Sequence, residues 1–178
     1  MDAQSLKALQ APLKEKYRTD PASAVITLRA KGSIDQDGVA CKVDTGRALA
    51  VAGLHPATGG SGLELCSGDM LLEALVACAG VTLKAVATAL SVALQSANVF
   101  AEGDLDFRGT LGVDKSARVG FKSIRLRFEI DSPADAATLA QLLKLTERYC
   151  VVLQTLRGSA KLSTEMSNVQ AQPAQGTT

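Results

Sequence analysis

The sequence predicts an α+β fold in which antiparallel strands lie before and after one long buried helix, and three observations lead there. The first is the run Met70-Leu-Leu-Glu-Ala-Leu-Val-Ala-Cys-Ala-Gly-Val-Thr-Leu-Lys84, apolar on nearly every face, which reads as a helix covered on more than one side. The second is the alternation of Ile124, Leu126, Phe128 and Ile130 with Arg125, Arg127 and Glu129, the pattern of a half-buried strand. The third is a stretch rich in β-branched residues from Ala24, followed by the turn signal Asp35-Gln-Asp-Gly38. Strands on both sides of a single long helix give the α+β class and not a doubly wound parallel sheet.

Each element follows from its local pattern. Leu6, Leu9, Leu13 and Tyr17, with Lys7, Lys14 and Lys16 between them, predict an amphipathic helix over residues 4–17, closed by the turn Thr19-Asp-Pro-Ala22. Residues 24–30 and 39–43 form a hairpin across the Asp35–Gly38 turn, with a third strand near residues 48–54. His55-Pro-Ala-Thr-Gly-Gly-Ser-Gly62 is a loop, because Pro and Gly at that density break a strand. Ser67 is placed as the cap of the central helix, over residues 68–91, and Asp69 puts a negative charge in its first turn. Residues 98–111 and 121–130 form an antiparallel pair. Leu139, Leu142, Leu143 and Leu145 mark a helix over residues 134–146, with cationic groups from Lys144 to Arg148 toward its end. Cys150 opens the next short segment, and residues 159–165 read as a final strand. The organisation expected is an N-terminal helical extension over residues 1–22, one domain over 23–168, and a polar, disordered tail over 169–178.

Composition narrows the function. The chain has 178 residues, enough for one compact domain with a proper core. Lys and Arg total 19 against 18 for Asp and Glu, so the net charge of +1 argues against nucleic acid or an anionic membrane as partner. Aromatic residues make up 3% and Trp is missing, which removes stacking platforms for bases. Cys41, Cys66, Cys78 and Cys150 form no CxxC or zinc spacing, and His55 alone cannot complete a ligand set, so neither metal nor cofactor is expected. The N-terminal residues lack a signal-peptide pattern, and the apolar run over residues 71–97 is interrupted by Glu73, Lys84 and Gln95. A cytoplasmic protein with reduced thiols is the expectation.

Cys78 in the central helix and Cys150 in Glu147-Arg-Tyr-Cys-Val-Val-Leu-Gln154 are far apart in sequence, each flanked by helix formers, and point to a redox pair joined by folding. Their contexts resemble the OsmC/Ohr family of osmotically inducible proteins and organic hydroperoxide reductases. Ser67-Gly-Asp-Met-Leu-Leu72, Val76-Ala-Cys78 and Tyr149-Cys-Val-Val-Leu-Gln-Thr155 stand for that family's Pro-Glu-Glu-Leu-Leu-like helix start, Ala-Ala-Cys element and Cys-Pro-Val-like turn. The resemblance spans roughly residues 24–165. It implies antiparallel sheets wrapped around the central helices of an intertwined homodimer, with sites at the subunit interface. It also implies a thiol-dependent peroxidase of the oxidative stress response, in which Cys78 attacks an organic hydroperoxide and Cys150 resolves the product as a disulfide. An external dithiol, of lipoyl type, would restore both thiols. Arg47 matches the family's activating arginine, with Arg29 a further candidate, and Asp69 stands where the family has a glutamate, one methylene shorter. Glu64 and Glu73 are substitutes for it, and Val151 replaces the usual proline.

Read without the resemblance, the same residues have plainer roles. Cys78 shares a helical stripe with Leu71, Leu75 and Thr82 and serves as a small buried hydrophobe. It stands too far from its own helix start to gain from the dipole, so a cation such as Arg47 must favour its thiolate. Cys150 fills a core position. Cys41 alternates with Val39 and Val43 on an inward strand face, Cys66 packs on Leu71 as a hydrophobic staple, and His55 is a loop residue. One further function stays open, an OsmC-fold binding or stress-related module with weak or no peroxidase activity; a thioesterase of hotdog type lacks support, because no acid in the central helix has an evident partner and the two cysteines would go unexplained.

Overall fold

A computed structural model describes residues 2–20, 31–34, 40–44, 49–112 and 114–167. The first-strand segment 24–30, the turn at 35–38 and the tail at 169–178 lie outside them. The described elements run α1 (Ala3–Thr19), β1 (Lys31–Ile34), β2 (Ala40–Asp44), β3 (Leu49–Gly53), β4 (Leu65–Cys66), α2 (Ser67–Ala89), β5 (Ser96–Leu105), α3 (Phe107–Thr110), β6 (Phe121–Asp131), α4 (Ala136–Tyr149) and α5 (Val151–Arg157). β1, β2 and β3 form an antiparallel meander, and the short β4 joins β3 in parallel, with Gly53 opposite Cys66. β5 and β6 form a separate antiparallel pair. The result is the α+β class that the sequence predicts.

The central helix organises the core. Leu75, Ala79, Leu83 and Ala87, spaced by four, are its buried residues. Around Leu75 and Ala79 gather Cys150, Val99, Ala101, Ile124, Leu126 and Leu153. Leu83 and Ala87 meet Leu142, Leu139, Ile130 and Leu94. One stripe of α2 therefore binds the β5–β6 pair on one side and α4 and α5 on the other. By length and composition α2 could cross a membrane, but this stripe is how a core helix behaves. The contacts with the strand pair and with the two helices meet the expectation of burial on more than one side, although Val81, off the stripe, is 73% exposed in the single chain.

Strand alternation on the second sheet is interrupted once. Leu105 pairs with Phe121 and Asp104 with Ser123, so Lys122 is an extra residue in the ladder, a β-bulge. Gly103 lies under the Phe121 ring, which a Cβ there would strike. The outward face carries a charged cluster in which Arg125 binds Asp104 and Glu102, and Arg127 binds Glu129 while lying over the Phe100 ring.

Three further boundaries differ from the sequence reading. The helix cap is Cys66 and not Ser67: Cys66 ends β4 with extended backbone, so strand pairing sets where α2 begins, and no side chain caps it. As the cap itself, Cys66 cannot act as a staple; its sulfur lies beside Gly68, near Leu105 and Phe121. The strand expected to reach residue 111 stops at Leu105, because Asp106 accepts the Arg108 N–H, pairs with the Arg108 side chain and starts the one-turn α3. The expected final strand over residues 159–165 does not form; the segment is exposed, and no strand among the described residues pairs with it. In α4, Asp135 caps the helix by accepting the Thr138 N–H at 2.7 Å.

Candidate active site

Two helices bring Cys78 and Cys150 together. Cys78 sits half-buried on α2, between the buried residues Leu75 and Ala79, and the Thr82 hydroxyl one turn on donates to its carbonyl at 2.7 Å. Cys150 is fully buried in the same cluster. It is the single non-helical residue between α4 and α5, with φ −71° and ψ 105°. Its N–H donates to the Thr146 carbonyl at 3.0 Å, and its own carbonyl accepts the Gln154 N–H at 2.9 Å. The break leaves the first N–H groups of α5 without helical partners. Both cysteines are free thiols.

The two thiols have opposite electrostatics. Burial disfavours the Cys78 thiolate, but the Val152 N–H, the Cys150 thiol and the Val151 N–H outweigh it and hold the Cys78 pKa below the ordinary thiol value. Burial pushes the Cys150 thiol up, and the neighbouring Cys78 sulfur adds to the rise against the N–H groups of Leu153 and Val152. The pair thus holds one sulfur disposed to ionise and one disposed to keep its proton. Sequence reasoning missed the N–H groups of Val151 and Val152. It sought help for Cys78 in a cation or in its own helix start, whereas the donors come from the start of another helix; the segment boundary at Cys150 was the available signal.

The remaining candidates fall elsewhere. Arg47 and Arg29 lie outside the described residues. Asp69 is exposed in the first turn of α2, about 13.5 Å along the axis from Cys78 at 1.5 Å per residue. With Glu73 it borders a shallow cleft lined by Leu72, Val76 and Ala101 that does not include Cys78. Glu64 accepts a hydrogen bond from Ser61. His55 stacks on Phe107 at 4.8 Å, and its Nδ1 accepts the Ala57 N–H, a loop-fixing role. Cys41 stands on β2 opposite Ile34 and Ala52. A groove of about 780 Å³ runs between β6 and the helices, floored by Leu71, Leu75, Leu126 and Leu153, with Arg118 and Lys122 at its rim. Neither sulfur lines it, but Leu75 and Leu153 belong to both the groove and the cysteine cluster.

Residues 60–165 match the family model described as OsmC-like protein, a span that contains α2, β5, β6, α4, α5 and both Cys78 and Cys150. The chain belongs to the OsmC-like protein family. A search of curated proteins finds no match. Among solved structures, the OsmC-like protein of Mycoplasma pneumoniae is similar at a TM-score of 0.62 and 18% identity, covering 75% of this chain and 89% of that one. An organic hydroperoxide resistance protein OsmC from Legionella pneumophila gives 0.59 and 17%, covering 75% and 91%. An organic hydroperoxide resistance protein from Elizabethkingia anophelis gives 0.60 and 15%, covering 75% and 90%. At these identities the likeness to OsmC-like structures is one of fold.

The thiol asymmetry makes an ordering testable. Under limiting iodoacetamide between about pH 6 and 9, Cys78 should be alkylated at lower pH and faster than Cys150, because only the thiolate reacts. Peptide mapping reads the order; equal rates, or Cys150 first, would contradict the electrostatics.

Proposed function

We propose that the protein is a thiol-dependent peroxidase that reduces organic hydroperoxides. The observation that carries this reading is that folding seats Cys78 and the buried Cys150 in one cluster, with the N–H groups of Val151 and Val152 favouring the Cys78 thiolate; membership of the OsmC-like family and neighbours titled organic hydroperoxide resistance proteins support it. The Cys78 thiolate attacks the outer peroxide oxygen and breaks the O–O bond, giving Cys78 sulfenic acid and an alkoxide that leaves as the alcohol after taking a proton. The Cys150 thiol then condenses with the sulfenic acid, forming the disulfide and releasing water. A small external dithiol, of lipoyl type, exchanges with the disulfide and restores both thiols. The apolar floor of the groove, which shares Leu75 and Leu153 with the cysteine cluster, favours an apolar substrate tail. The reaction is placed in the cytoplasm, where thiols are kept reduced.

Two parts of the reading reach beyond the described chain. Arg47 is assigned to the Cys78 thiolate as its cation, on the strength of the sequence resemblance; Asp69, remote along α2, is assigned to orient that arginine and not to touch the sulfur. A second copy is assigned to the open face of α2, where Val81 is 73% exposed and Ala77 is also uncovered. A homodimer would bury that face.

Intact-mass analysis after one equivalent of cumene hydroperoxide, with peptide mapping, should find a Cys78–Cys150 disulfide and reduced Cys41 and Cys66. Cys78→Ser should abolish turnover, and Cys150→Ser should complete one reduction and accumulate Cys78 sulfenic acid. A Cys78→Ser protein with wild-type turnover would refute the nucleophile, and a wild type inert to hydroperoxides would favour the binding module. In titrations by ultraviolet absorbance, Arg47→Ala should move the Cys78 pKa toward the unperturbed value of ~8.5; an unchanged curve would remove Arg47 from the site. Light scattering should give the mass of a dimer for the wild type and a shift toward monomer for Val81→Glu. A monomeric wild type would exclude the second copy.

A further inference from the structure

The sequence around Cys150 has no local reason to break. Glu147-Arg-Tyr-Cys-Val-Val-Leu-Gln-Thr-Leu-Arg157 contains neither Gly nor Pro, and every residue in it is compatible with a helix. One uninterrupted helix from α4 into α5 would let the Val151 N–H bond the Glu147 carbonyl and would turn the Val151 and Val152 N–H groups along the helix axis. Instead, the extended ψ of 105° at Cys150 separates the two helices and parts those groups. Breaking a helix costs the bonds it would have made, so something must hold the two segments at an angle.

Glu147 supplies the hold. Its carbonyl, deprived of the Val151 N–H, accepts Gln154 Nε2 at 2.7 Å, and its carboxylate accepts from Arg157 at 3.1 Å. Gln154 and Arg157 are three apart and share one face of α5, so α5 is tied twice to the last turn of α4. The Arg157 tie is an exposed ion pair and contributes little. The Gln154 tie satisfies a backbone acceptor that the break orphans.

We propose that Gln154 is a positioning residue: by donating to the Glu147 carbonyl across the break at Cys150, it keeps α5 angled from α4 so that the Cys150 sulfur and the free N–H groups of Val151 and Val152 stay on Cys78. The inference rests on the peroxidase reading for its purpose but not for its geometry. Val151, which stands where a proline would lock the same break, leaves the angle to Gln154 and adds an N–H that proline lacks.

The test uses diamide, which needs no peroxide chemistry: its N=N bond takes two electrons and two protons from the two thiols and becomes the hydrazine as the disulfide forms. Gln154 is exposed, so Gln154→Leu keeps the fold while removing the donor. Cys78–Cys150 closure under diamide, followed by mass mapping, should slow several-fold to about tenfold in Gln154→Leu, the range one hydrogen bond sets in a two-state equilibrium. At a pH where Cys78 is fully ionised, so that loss of the Val151 N–H no longer sets the thiolate fraction, adding Val151→Pro should restore it, because proline forces the preceding residue into extended backbone and is accepted at the first position of a helix. Closure unchanged in Gln154→Leu, or slowed closure that Val151→Pro leaves uncorrected, would overturn the proposal. A wild type that closes with diamide but consumes no hydroperoxide would remove the peroxidase reading and leave the positioning role standing.

Discussion

The four-residue stripe Leu75, Ala79, Leu83 and Ala87 is the contact on which the rest of the molecule depends. Alternating large and small residues on one face of α2 let two different partners approach: the inward residues of β5 and β6, and the α4–α5 helices. Its lower half seats Leu142 and Leu139, which anchor α4; its upper half seats Cys150 and Leu153, which anchor the point where α4 gives way to α5. Cys78 is adjacent to this stripe and not part of it. That offset gives the sulfur dry neighbours without sealing it away.

The chemistry of Cys78 therefore comes from tertiary structure. A thiol in the body of a helix gains nothing from that helix, whose N–H groups are already bonded, and burial alone would raise its pKa. The start of a second helix reverses the outcome because its first N–H groups lack partners and can face a sulfur. The same burial acts on Cys150, where no compensation of equal strength is present, so one environment yields two unlike thiols. This division suits an attacking and a resolving sulfur.

Periodicity made most of the fold legible. The apolar run gave α2, the Ile124–Ile130 alternation gave β6, and the leucine spacing gave α4, because in each the buried face is written into the local pattern. What stayed hidden depends on groups distant in sequence or on the backbone. Cys66 displaced Ser67 as the helix cap because β3 holds it in a strand, a pairing that no local preference records. Residues 159–165 have strand-like composition, but no strand among the described residues pairs with them. The two cysteines were legible as a pair, whereas the N–H groups that distinguish them were not, since every residue carries an N–H and only the fold decides which are free.

The bulge at Lys122 gives the second sheet a point of slack. Phe121 and Ile124 both face inward although two residues lie between them, so Lys122 and Ser123 both face solvent and the inward sequence of β6 resumes in step. Position 122 is thus released from the alternation that binds its neighbours. Its side chain stands at the rim of the groove, where charge and length can vary without moving any core residue. A strand otherwise committed to packing keeps one site at which the mouth of the groove can be retuned.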